Sequence, residues 1–211
     1  MKKIISSIAL LTSIFFSIHC FSQTCSQTLP AKRINANSGL EQAQDFLWSA
    51  DGQIVAVGYT NSGATGEDGL LLKMNTAGVV AWAYTMGGTA QDRFHKIKQC
   101  SDGGYIILGN TVSFGGIESF LLVKTTSAGT ISWSRTYDYF QGAKGYDVIQ
   151  MSDGGFACVG FLNGPDKAGI MRTDANGLPL WGKVVNGSSN DYFLSLAEAA
   201  NGDILAVGSG I

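Results

Sequence analysis

Ser101–Asn110 reads SDGGYIILGN, and Ser152–Phe161 reads SDGGFACVGF. Each opens on an Asp-Gly turn signal and continues as an unbroken apolar run closed by glycine. Asp-Gly supplies the positive backbone angle that a tight hairpin needs. An apolar run of four residues without alternation, bounded by turns, describes a strand covered on both faces. Moving outward from this pair, the same signal stands at Asp51-Gly52, Asp102-Gly103, Asp153-Gly154 and Asn201-Gly202, at intervals of 51, 51 and 48 residues. The closing glycine keeps step at Gly58, Gly109, Gly160 and Gly208. So do Trp82, Trp133 and Trp181, the glycines Gly78, Gly129 and Gly177, and the basic residues Lys73, Lys124 and Arg172. Several features sharing one spacing mark a repeat architecture.

The second unit reads as four short strands: FHKIKQC over 94–100, which alternates loosely, then YIIL over 105–108, FLLVKTT from Phe120 and TISWSRTY from Thr130. Turn signals separate all four, so each unit is expected to be an antiparallel four-stranded meander. Such a sheet is apolar on both faces of its inner strands and is marginal alone, so neighbouring copies must stack. The expected fold class is all-β: a β-propeller-like array of blades over 42–85, 93–136 and 144–184, with half a blade over 192–211.

On these residues the chain resembles the secreted β-propeller repeats of bacterial surface proteins, whose units run GGYI-V-G, then F-LLK, then G-I-W-K-TYGG. The matching residues are Gly104–Gly109, Phe120–Lys124, Gly129–Trp133 and Tyr84–Gly88, and the resemblance extends from Lys32 to the C-terminus. It implies a scaffold fold rather than an activity. Propellers close with about four to eight blades, whereas three full units and half of a fourth are present. Thr28–Ile34, within the segment 23–41, falls in step with a blade's last strand, because Arg33, Tyr84 and Arg135 are 51 residues apart; it is expected to serve as a ring-closing strand. The simplest expectation is an N-terminal part of a larger protein. The alternative is a half ring that self-associates through its uncapped blades.

At the N-terminus, Lys2 and Lys3 precede an uncharged run over 4–18, which reads as a secretory signal peptide over 1–22 with cleavage before Gln23. A lipoprotein reading would acylate Cys20 instead. The run is shorter than the roughly 20 residues needed to span a bilayer, so no membrane span is expected after its removal, and the protein is expected to be secreted or at the cell surface. The mature chain would hold Cys25, Cys100 and Cys158. With no Cys-x-x-Cys pair, the last two read as small buried strand residues.

A charged fraction of 14% and a formal net charge of -2 provide no broad basic surface, which excludes a nucleic-acid partner. No phosphate-cradling loop, zinc-type cluster or calcium loop is present, so neither cofactor nor metal is expected. His95 is the one histidine left after signal removal. It stands where Gln44, Tyr146 and Leu194 stand in other units and reads as a variable strand position. Glu41, Asp92 and Asp191 share one position at the entry to each unit, with Ala143 in the third. An acid there is a turn former that accepts backbone N–H bonds, or a member of a binding site at the mouth of the ring. Asp45 and Asp147 make a second pair. Trp48 breaks the pattern, since Gln99, Gln150 and Glu198 occupy its position elsewhere, and it is a candidate contact residue. Asn186-Gly187-Ser188 matches a glycosylation sequon.

Two functions fit. One is an exported scaffold binding a protein or a glycan without catalysis, through the loops 61–68, 113–119 and 139–144 that differ between units. The alternative is a glycan hydrolase or lyase using carboxylates at the ring mouth, since glycoside cleavage needs two facing carboxyl groups.

Overall fold

A computed structural model describes residues 41–61, 66–114, 116–138, 142–162, 167–185 and 191–210. The signal peptide, Cys25, the proposed closing strand over 28–34 and the sequon lie outside these residues. The described chain is all-β. Sheet 1 comprises β1 (Glu41–Trp48), β2 (Ile54–Thr60), β3 (Asp68–Met74) and β4 (Val80–Met86). Sheet 2 comprises β5 (Asp92–Gln99), β6 (Tyr105–Thr111), β7 (Ser119–Thr125) and β8 (Ile131–Tyr137). Sheet 3 comprises β9 (Ala143–Gln150), β10 (Phe156–Leu162), β11 (Lys167–Thr173) and β12 (Pro179–Val185). Sheet 4 holds β13 (Tyr192–Glu198) and β14 (Ile204–Ser209). Strands pair antiparallel in sequence order within each sheet, which is the expected meander.

The turns form where the Gly signals stand. In the first hairpin of each sheet, Gly52, Gly103, Gly154 and Gly202 take φ between 75° and 87°, and each donates its N–H to the residue three before it, as in Gly103 to Cys100 at 2.9 Å. A side chain is strained in this region, hence glycine.

Within the inner strands the apolar run divides by parity. Tyr105 and Ile107 of β6 face sheet 1, where they join Val55, Val57 and Leu71 in one buried cluster. Ile106 and Leu108 face the other way and join Val148, Phe156, Cys158 and Met171 of sheet 3. Sheet 3 in turn presents Ala157, Val159 and Ile170 to Leu196 of sheet 4. Consecutive sheets therefore pack face to face, and two-sided burial is what removes alternation from the run. Size is matched across the junctions. The Phe94 ring fills the space over Gly69, coming within 2.8 Å of where a Cβ would sit. One unit later the sizes exchange: residue 145, equivalent to 94, is Gly, and residue 120, equivalent to 69, is Phe, whose ring abuts Gly160.

Every first strand carries a bulge at the same place. In β1 the register passes from Ala43 opposite Gly58 to Asp45 opposite Val57, leaving Gln44 extra. The extra residue is His95 in β5, Tyr146 in β9 and Leu194 in β13. The bulge brings the carbonyl of Gln42, Arg93, Lys144 or Tyr192 into the space that a Cβ on Gly58, Gly109, Gly160 or Gly208 would need. That close approach is why a glycine recurs at this point in each apolar run.

Candidate functional site

The repeated polar residues serve the scaffold. Lys73, Lys124 and Arg172, all buried, reach from the third strand to Asp51, Asp102 and Asp153 of the first hairpin. Lys73 Nζ lies 2.7 Å from Asp51 Oδ2, and Lys124 Nζ lies 2.7 Å from Asp102 Oδ2. The hydrogen bond from Lys73, with a further one from Ser49, pulls the Asp51 carboxyl down to about 2. Lys124 likewise lowers Asp102, while Asp153 is lowered first by the Gly155 N–H and then by Arg172. Burial opposes the charge on Lys73, but its bonds to Asp51 and Tyr105 leave it above its ordinary value.

A second repeated device joins sheets. Gln99 Oε1 accepts the Ala50 N–H of the preceding sheet at 2.9 Å, and Gln150 Oε1 accepts that of Ser101 at 2.8 Å. Glu198 accepts from both the N–H and the hydroxyl of Ser152, each at 2.7 Å. Trp48 holds the same position in sheet 1 and is 59% exposed, on the face that packs against none of the other three sheets.

The carboxylates at the entry to each unit lie at one end of the sheets. Glu41 opens β1 opposite Thr60, Asp92 opens β5 opposite Thr111, and Asp191 precedes β13. Asp92 is fully buried. Its Oδ2 accepts the Gly88 N–H at 2.8 Å and the Ser113 hydroxyl at 2.6 Å, and its Oδ1 accepts from the Thr111 hydroxyl. This carboxylate ties the connection from sheet 1 to sheet 2 to the β6–β7 loop. Asp191 is 2% exposed and Glu41 is half-buried. Among the described residues, no three His, Cys, Asp or Glu side chains gather closely enough to hold a metal. Asp68 lies near Asp92, and burial together with the Asp92 charge raises its carboxyl above the usual range.

Different residues stand out on the four bulges. β1, β5, β9 and β13 are edge strands that neighbour one another in order, so their bulges form a row of four unlike side chains: Gln44, His95, Tyr146 and Leu194. Gln44, Tyr146 and Leu194 are exposed. Comparison with protein-family models and with curated proteins returned no match. The row is therefore read from its own chemistry. A bulge re-aims its side chain out of the pleat. His95 Nε2 hydrogen-bonds Asn110 Oδ1, whose Nδ2 donates to Glu118 Oε1 at 2.8 Å. Because that oxygen only accepts, Nε2 carries the proton. Burial, followed by the charges of Arg93 and Lys144, pushes the imidazole down against that hydrogen bond, favouring the neutral ring. The Tyr146 ring meets Tyr192 edge-on with centroids 6.2 Å apart.

Beside two of the bulges, those of β1 and β9, the sheets are tied. Asp45 Oδ2 accepts the Ile97 N–H at 3.0 Å and pairs with Lys96 at 3.4 Å. Asp147 Oδ2 accepts the Leu196 N–H at 3.0 Å and the Ser195 hydroxyl at 2.8 Å. At the loop end, Arg93 pairs with Glu67 and lies 4.6 Å from the Tyr59 ring centroid. Sequence reasoning placed His95 at a variable position and missed the bulge that displays it. The signal was the loose alternation of FHKIKQC facing a glycine that recurs in every unit. Cys100 and Cys158 are buried free thiols; burial raises Cys100 to about 11 and Cys158 further.

Proposed function

We propose that this chain is a propeller-like, exported scaffold that binds a protein or a glycan without catalysis, at the edge formed by the first strands. The observation that carries the reading is the row of bulges: four identical backbone devices present four different side chains, while the side chains that repeat are engaged in holding the scaffold together. Gln44, His95 and Tyr146 offer an amide, an imidazole and an aromatic face, and Leu194 an apolar contact. This mixture suits a ligand with both polar and apolar surface. The loops at 66–68, 116–119 and 142–144 extend that edge with Glu67 and Glu118. The faces left uncovered at sheet 1 (Phe46, Trp48) and sheet 4 (Leu205, Val207) support self-association of the chain. The test is binding to an array of immobilised glycans and peptides, with product analysis for cleavage. Binding without turnover, weakened at least about tenfold by Tyr146→Ala or Gln44→Ala, supports the scaffold.

One observation favours the glycan-cleaving alternative: the raised Asp68 carboxyl beside Asp92 resembles an acid paired with a carboxylate. Turnover lost in folded Asp68→Asn, Asp92→Asn or Asp191→Asn protein would replace the scaffold reading with that one.

A further inference from the structure

The first two junctions between sheets are framed alike but filled differently. Trp82 and Tyr84 of β4 lay their rings against Gly129 in the β7–β8 turn, and Trp133 of β8 lies against Gly177 in the β11–β12 turn, with ring atoms 2.8 and 2.7 Å from the place of a Cβ. Residues 86 and 137 correspond as well: each ends its fourth strand, Met86 opposite Gly69 and Tyr137 opposite Phe120. Tyr137 is buried in one cluster with Cys158 and Met171, and its hydroxyl donates to the Gly177 carbonyl at 2.7 Å. The opening that remains at that junction is lined by Tyr137 itself and runs outward along Pro179–Gly182.

Between sheets 1 and 2 the corresponding space is a cavity of ≈ 210 Å³. It is framed by Met86, Ile107, Val123 and Gly129, where the next junction has Tyr137, Cys158, Met171 and Gly177. Phe94 and Ile107, both buried, close its inner end, and the exposed Tyr84 and Ile131 stand at its mouth. Met86 cannot bond the turn carbonyl as Tyr137 does, because a thioether has no proton to donate. Thr125, in the same lining, is fully buried, and its hydroxyl has no hydrogen-bond partner among the described residues. Its equivalent, Thr173, donates to the Asp174 carbonyl at 3.0 Å. A buried polar group left unpaired is costly, and a polar ligand is one means of pairing it.

We propose that this cavity binds a monocyclic phenol, seated as the Tyr137 side chain is seated one junction later. The ring lies against Ile107 and Val123, and the hydroxyl donates to the Gly129 carbonyl. The size agrees, since an apolar cavity of about 150 Å³ holds benzene, and the larger volume here leaves room for the hydroxyl and one small substituent. The cavity lies between two complete four-stranded sheets. The segment 1–40 contains no tyrosine and so cannot place a phenol in it. The site is separate from the row of bulges and does not rest on it.

The probe is p-cresol, titrated into the full chain and followed by NMR, with toluene as the analogue lacking the hydroxyl. Saturable one-to-one binding is expected at about 1 mM or below, with NOEs from the ring to the methyls of Ile107 and Val123. Toluene should bind at least about tenfold more weakly, because it leaves the carbonyl unmet. N-acetyl-tyrosinamide separates two sources of the same group: tighter binding of p-cresol assigns a free phenol, and tighter binding of the tyrosinamide assigns a tyrosyl side chain. Met86→Tyr supplies the phenol from the chain itself and should abolish binding while the far-ultraviolet circular dichroism is kept. The proposal is overturned by absence of saturable binding, by equal affinity for toluene, by NOEs confined to residues outside the cavity, or by undiminished binding to folded Met86→Tyr. Should that variant misfold, the titrations and NOEs of the unaltered chain decide the question. Failure of p-cresol to bind leaves the scaffold reading standing.

Discussion

Asp51 shows how one side chain can serve a turn and a strand together. It accepts from Gln53 N–H across the hairpin and from Lys73 at the far end of β3, and the same pairing recurs at Asp102 and Asp153. The pH consequence has a definite sign. A carboxyl whose folded value lies below its unfolded value, as for Asp51 at about 2 against 3.8, stabilises the fold fully above the unfolded value and loses that contribution as pH falls through the folded one. Melting temperature should therefore fall between about pH 4 and pH 2, and Asp51→Asn should have a shallower fall over that window, with a lower plateau at neutral pH. Thermal unfolding followed by circular dichroism across pH 2–7 checks both. His95 belongs to the same scale. With its value held below the ordinary 6.5 by burial, the ring should titrate below free imidazole in an NMR pH series, and Asn110→Ala, which removes the hydrogen bond favouring the charged ring, should move it lower still.

Between elements, the deciding quantity is the volume shared across a junction. Phe94 over Gly69 and Gly145 with Phe120 are the same pair of positions with sizes exchanged. Phe94→Gly alone should cost about 3–5 kcal/mol through the cavity left, and Gly69→Phe alone about 1–3 kcal/mol through overpacking. Combined, they place the large and the small residue as at the equivalent positions of the next junction, 120 and 145, so denaturant titration should show a favourable coupling of about 1–3 kcal/mol. Purely additive losses would mean that the two positions do not face each other. This scale also separates what the sequence makes legible from what it does not. Hairpins at Asp102-Gly103 and Ala128-Gly129, and a doubly covered run at Tyr105–Leu108, are local: a turn angle and a burial pattern follow from a few adjacent residues. The bulge at His95 was hidden because an extra residue looks, in one strand, like imperfect alternation. The Gln99–Ala50 and Gln150–Ser101 clamps join residues 49 apart, and nothing in the local sequence of either partner points to the other. Trp48 could be singled out by its departure from the pattern, and the clamps show what glutamine does at that position in sheets 2 and 3. Asp92 was legible as a turn former by position; its bonds to Gly88, Ser113 and Thr111 required the loops to be folded around it.

Across the whole molecule, stability is transmitted from sheet to sheet, as in other arrays where each unit contacts only its neighbours. The junction of sheets 3 and 4 depends on a buried Asp147 that holds the Leu196 N–H, so Asp147→Ala strands that donor and should cost about 1–3 kcal/mol. The loss should be local: amide exchange in β13 and β14 should accelerate while β5–β8 keep their protection. Uniform acceleration would indicate a single cooperative unit instead. The central claim is that successive sheets stack face to face in chain order, and it is tested most directly by NOE contacts between each Trp and the turn of the following sheet. The stacked array predicts cross-peaks from the Trp82 ring to the Gly129 α-protons and from the Trp133 ring to those of Gly177. Trp rings that contact only residues of their own sheet, with no cross-peak to either glycine, would contradict it.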